Sequence, residues 1–263
     1  MTNSPSSSTA TPTSAAFISE SLRRAELYRW FAGLFADRLD PVLLRAYRQG
    51  PGRAVLDNLA AQPALSDGAR RMEAALDHGA SDKDLAAALA DDFHVLFEKG
   101  AAIPRASIWN RSGGGDDGKG DAPPAAEPPV APHKADILGR MKALLRHSGL
   151  GLRPSLPSDP DHVAVLLDVM AQTSEKSLAV WRKAHPAEAA SDTPVDAVVD
   201  LVATCREQRT FIDDNLLSWL PAFRDACDAH DPDGFYAGVA TLLVAYLERD
   251  RQFLSDCLGA AAE

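Results

Sequence analysis

Cysteine is scarce in this chain. Cys205, Cys227 and Cys257 are the three among 263 residues, an odd number with no C-x-x-C spacing. Neither a disulfide framework nor a zinc site is suggested, and a reducing, cytoplasmic compartment fits that usage. Long apolar runs are missing as well. No stretch approaches the ~18 uncharged apolar residues of a membrane-spanning helix. Positive charge is in deficit, with 27 Lys and Arg against 37 Asp and Glu, a net charge of −10. Non-specific nucleic-acid binding needs a basic face, so that class is excluded. An acidic surface either steers a cationic partner or serves solubility alone.

Catalytic signatures are also lacking. There is no H-E-x-x-H and no G-x-S-x-G, and none of the seven histidines lies four residues from another. Gly113 to Lys119 satisfies G-x-x-x-x-G-K, but Gly120 stands where a phosphate loop needs Ser or Thr. Asp121-Ala122-Pro123-Pro124 follows, which is no helix interior. Asp91-Asp92 and Asp213-Asp214 resemble the start of D-D-x-x-D metal clusters, but Val95 and Leu217 close them without a third acid. Asp231-Pro232-Asp233-Gly234 resembles part of a calcium loop, yet no Glu stands at the twelfth position. It reads as a turn with a helix start. No metal, no cofactor and no enzymatic activity are expected.

What is present is helical periodicity. Residues 1–17 are mostly Ser, Thr, Pro and Ala and read as a disordered tail. Leu27, Trp30, Phe31, Leu34 and Phe35 then mark one helical face. Their burial is worth roughly 7–15 kcal/mol gross. Arg23 and Arg24 precede this run, but Glu26 and Arg29 interrupt it, so a first helix is expected rather than an export signal. Asp40-Pro41 reads as a cap and first position of a second helix. Further helices are expected near 66–78, 81–99 (capped by Ser81), 133–147, from about 160, near 195–219 and from 235. Pro221 is expected to kink or restart its helix. The stretch 110–132, Gly-rich and then Pro-rich, reads as a flexible insertion. Period-two alternation is absent. The expected fold is all-α, one globular domain of about ten helices over 18–258.

One stretch holds chemistry worth weighing, Ser158-Asp159-Pro160-Asp161-His162 ahead of the apolar Val163, Leu166, Leu167 and Met170. Asp159 suits an N-cap, Pro160 the first helical position, and Asp161 the positive end of the helix dipole. His162 gains nothing from that dipole and sits at the edge of the apolar stripe. The acid and imidazole either cap the helix or hold a ligand.

Four segments in order resemble the TorD/DmsD/NarJ family of chaperones for molybdenum-cofactor enzymes. They are RAELYRWFAGLFA (24–36), LADDFHVLFEKGAAIPRASIW (89–109), SGLGLRPSLPSDPDHVAVLLDVMA (148–171) and the pair of helical segments over 211–254. The resemblance covers about 22–256, apart from the insertion. It implies a cytoplasmic helical chaperone that binds the twin-arginine leader of a molybdopterin oxidoreductase precursor and delays export until cofactor insertion. It also implies a monomer or domain-swapped dimer. A basic arginine pair followed by an apolar stretch calls for acids and an apolar groove. By position in the family motifs, Asp161 is the expected acid and His162 its neighbour, after Pro160. Phe93, Phe97, Ile103, Pro104, Ser107 and Trp109 belong to the expected loop and groove, with Tyr28 and Trp219 at matching aromatic positions. Ser158-Asp159, Ile103-Pro104-Arg105 and Asn215 depart from the family pattern, which leaves subfamily and client open. The competing reading is a helical adaptor that binds an amphipathic partner helix without any leader.

Overall fold

The computed structural model describes residues 14–78, 81–109, 137–147, 150–151, 153–184, 195–231 and 234–260. Among them it is all-α, with eleven helices and no strand. The first is α1 (Ser14–Ala36), so Ser14 to Phe17 are helical rather than part of the tail expected over 1–17. The insertion expected over 110–132, and with it Gly113 to Lys119, lies outside the described residues, as do 1–13 and the first residues of the helix expected near 133–147.

Local signals set many of the boundaries. Asp40 accepts hydrogen bonds from the Val42 and Leu43 N–H groups and starts α2 (Pro41–Gln49), with Pro41 in its first turn. Next come α3 (Pro51–Ala60) and α4 (Ser66–Leu76). Ser81 accepts from the Asp84 N–H and starts α5 (Asp82–Phe93). A π-helical turn, His94–Glu98, extends α5 until Gly100 turns the chain at φ 105°, in the left-handed region. The expected break after it holds one short helix, α6 (Ala106–Trp109), and α7 (Ile137–His147) follows the insertion. The remaining helices are α8 (Val163–Ala184), α9 (Val195–Ile212), α10 (Leu220–His230) and α11 (Phe235–Ala260). A second π-turn, Asp213–Leu217, ends α9, and Pro221 stands in the first turn of α10, a restart. Asp231 caps α11, accepting from the Gly234 and Ala237 N–H groups at 3.0 and 2.7 Å.

Two helices form the centre. α1 packs against α8, and α11 packs against α4 with α9 and α10 beside it. Every residue from Val163 to Ala171 is buried, and so is every residue from Phe235 to Ala240. The expected stripe of Val163, Leu166, Leu167 and Met170 is buried, and so are the other faces of these turns, including Asp168, which pairs with Arg153 at 2.8 Å. One continuous core runs from α1 to α11, as a single domain requires. A polar knot is buried inside it. Arg24 grips Asp250 with Nε and Nη2 at 2.5 and 2.9 Å and donates to Gln208 at 2.7 Å. The Tyr28 hydroxyl also donates to Asp250, at 2.5 Å.

Candidate functional site

Pro104, Ser107, Asp161 and His162 meet where the 103–109 segment packs against the start of α8. The Val163 N–H donates to the Pro104 carbonyl at 2.8 Å, and the Ala106 N–H to the Asp161 carbonyl at 3.0 Å. They form an antiparallel bridge between Arg105 and His162. The Asp161 side chain is wholly buried and accepts the Ser107 N–H at 3.0 Å. Arg105 Nη2 stands 3.5 Å from Asp161 and 3.1 Å from Asp159, bridging the two acids. Burial pushes the Asp161 carboxyl up, but the Ser107 hydroxyl and N–H and the Arg105 charge outweigh it, holding it below the usual carboxylate range.

His162, and not Asp159, is the N-cap of α8. Its carbonyl accepts the Leu166 N–H at 3.1 Å, and its ring Nδ1 accepts the Ala164 N–H at 3.2 Å. The helix accordingly starts at Val163, so Pro160 and Asp161 precede it instead of forming its first turn. The cap requires an unprotonated Nδ1. Burial lowers the imidazole pKa to about 4, against Asp159 and Asp161, which raise it, and with Arg105, which lowers it further.

Asp161 is fully buried and His162 is 8% exposed, so the pair itself does not stand at an open lip. Tyr28 and Trp219 are core residues, at 0% and 2% exposure. Phe93 and Phe97 are buried edge-on to each other at 4.9 Å, and Phe97 meets Tyr236 at 5.2 Å. Pro104 is buried, Ile103, Ser107 and Pro160 are half-buried, and Trp109 donates from Nε1 to the Ile103 carbonyl at 2.7 Å while abutting Phe223. These groups fasten a loop to a helix and fill the core behind it. Asp213 faces Arg251 at 3.4 Å and Arg209 at 3.9 Å, a surface ion pair. Among the described residues no cluster of His, Cys, Asp and Glu is arranged to hold a metal ion.

Two open depressions lie elsewhere, side by side on the seam of α1 with α11 and α3. A cleft of about 590 Å³ is lined by Glu20, Ala64, Tyr246, Glu248, Arg249, Phe253 and Asp256, among others. Next to it, Leu27, Trp30, Val55 and Leu59 line an apolar pocket of about 260 Å³ together with Arg23, Glu26, Asn58 and Gln62. Sequence reading missed this surface. Its only trace is Glu248, Gln252 and Asp256 at i, i+4 and i+8 on the last helix, which reads as an ordinary solvated face.

Comparison with known proteins settles the lineage. The family model described as nitrate reductase delta subunit matches residues 60–225. Proteins named Chaperone protein TorD are similar along nearly the whole chain. The one from Vibrio cholerae is 27% identical over 239 residues, 90% of this chain and 94% of its own length. Those from Vibrio parahaemolyticus and Vibrio vulnificus are 30% and 31% identical, each over 88% of this chain and 94% of their own. No described helix is long and apolar enough to cross a membrane. The chain belongs to the TorD/NarJ family, a family of chaperones and not of catalysts.

Proposed function

We propose that this protein is a cytoplasmic maturation chaperone that binds the twin-arginine leader of a molybdenum-cofactor oxidoreductase precursor. While the chaperone holds the leader, export waits, and the precursor has time to receive its cofactor. The observation that carries this reading is the end-to-end similarity to proteins named Chaperone protein TorD, over about nine-tenths of both chains. The charge balance supports it. A leader offers two guanidinium groups ahead of an apolar stretch, and this chain has a net charge of −10.

The test is fluorescence anisotropy with a labelled synthetic leader that carries an arginine pair followed by an apolar stretch. Binding is expected at low-micromolar Kd or tighter. Replacing both arginines with glutamine is expected to weaken it at least tenfold. Equal binding of the two peptides would return the reading to an adaptor for amphipathic helices, and absence of binding to both would reject the leader role.

A further inference from the structure

We propose that the leader docks on the α1–α11 seam, its arginine pair in the acid-lined cleft and its apolar stretch in the adjoining pocket. This rests on the leader-binding reading above.

The two depressions share a rim. Glu20 of the cleft takes both Arg23 Nε and Nη2, at 3.0 and 2.8 Å, and Arg23 lines the pocket. Arg249 of the cleft donates to Gln62 of the pocket at 2.6 Å. A peptide that fills both depressions therefore crosses these two side-chain bridges. Polarity differs on the two sides. The pocket is walled by Leu27, Trp30, Val55 and Leu59, and Val55 is 37% exposed.

The cleft is acidic. Asp250 is spent on Arg24 and Tyr28, and Glu20 on Arg23. Glu248 and Asp256 are exposed and form no ion pair among the described residues, although Asp256 accepts the Gln252 amide at 2.7 Å, and they lie two helical turns apart, about 12 Å along α11. Arg249 is the opposing charge, and its guanidinium is turned to Gln62 and to Glu20 at 4.0 Å. Tyr246 lines the cleft at 2% exposure, and its hydroxyl is buried without a hydrogen-bond partner. A buried hydroxyl in that state is costly, and a ligand that reaches it gains a partner. Phe253 completes the lining, with the Arg24 guanidinium 5.4 Å from its ring centroid.

The arrangement selects a short peptide with cations at one end and aliphatic groups at the other. The chain's own first 22 residues hold neither Lys nor Arg, so they lack the charge to fill the cleft.

The test pairs the double variant Glu248→Gln, Asp256→Asn with the arginine and glutamine forms of the synthetic leader. A control variant, Asp91→Asn, Asp225→Asn, makes the same change in net charge at exposed acids elsewhere. All are measured after circular dichroism and melting show intact folding. The cleft variant is expected to bind the arginine leader at least tenfold more weakly than the unaltered protein, and the glutamine leader equally well. The control is expected to change either by less than threefold. Val55→Glu is expected to weaken any leader with its apolar stretch intact. If the cleft variant binds the arginine leader as well as the control does, the docking site is wrong and the chaperone reading stands. If the unaltered protein binds neither leader, both fall together.

Discussion

At the scale of single residues, His162 has the clearest consequence. Its folded pKa of about 4 lies below the ~6.5 of an unfolded chain, so between those values the unfolded state binds the extra proton. The stability tied to the neutral ring is full above pH ~6.5 and is lost as pH falls toward 4. From pH 7 to pH 5 the loss is about 2 kcal/mol. Asp161 acts in a lower window. Its depressed pKa contributes stability above the unfolded value, ~3.9, that fades only as pH falls through the folded value. Urea unfolding at pH 7 and pH 5 tests the point. The unaltered protein is expected to lose about 2 kcal/mol, and His162→Asn, which keeps a capping acceptor but does not titrate, a small fraction of that. An equal loss in both would remove His162 as the cause. The sequence made this pair visible but misassigned its roles. Capping rules favour Asp159, and only the pairing of Arg105 with His162 moves the helix start to Val163. The knot of Arg24 and Asp250 was equally hidden, because periodicity tells which face a residue takes and not that a guanidinium 226 positions away will satisfy it.

Helices were the most legible level, because their signals are local. Asp40-Pro41, Ser81 and the apolar spacing of α1 each act within a few residues. The π-turns that end α5 and α9 were not read, since both lie inside runs with ordinary helical spacing. Helix crossings were not readable either, and one close crossing is where α4 meets α11. A Cβ added at Gly68 would sit 2.4 Å from the Leu242 nitrogen and 2.7 Å from the Gly238 oxygen, both backbone atoms. Neither can yield without moving a whole helix. Gly33, in the last turn of α1, has nothing within 4 Å of such a Cβ. Alanine in a helix gains about 1 kcal/mol over glycine where space allows. Gly33→Ala is therefore expected to stabilise by up to that amount. Gly68→Ala is expected to lose about 1–3 kcal/mol or more, the usual cost of overpacking. Urea midpoints at unchanged slope measure both. A Gly68→Ala protein as stable as Gly33→Ala would show that α4 and α11 do not cross this closely.

For the molecule as a whole, the fold class followed from period and composition, while the docking surface did not. Glu20, Val55, Gln62, Glu248 and Asp256 are brought together only by the packing of α1 with α3 and α11. No local pattern announces a cleft assembled from segments nearly 230 residues apart. Charge is the global property that bears on it. A net charge of −10 goes with a cleft whose Glu248 and Asp256 are exposed, so under the proposed docking a cationic leader is attracted before it touches the protein. Such steering acts on encounter, and ions screen it over about 10 Å at 0.1 M salt. Stopped-flow mixing with the arginine leader is therefore expected to show an association rate that drops about tenfold between low and high salt. Dissociation, governed by contacts already made, is expected to change less. The glutamine leader is expected to associate at a rate nearly indifferent to salt. If the arginine leader also ignores salt, the acidic surface serves solubility alone, and affinity for the leader must come from the apolar pocket.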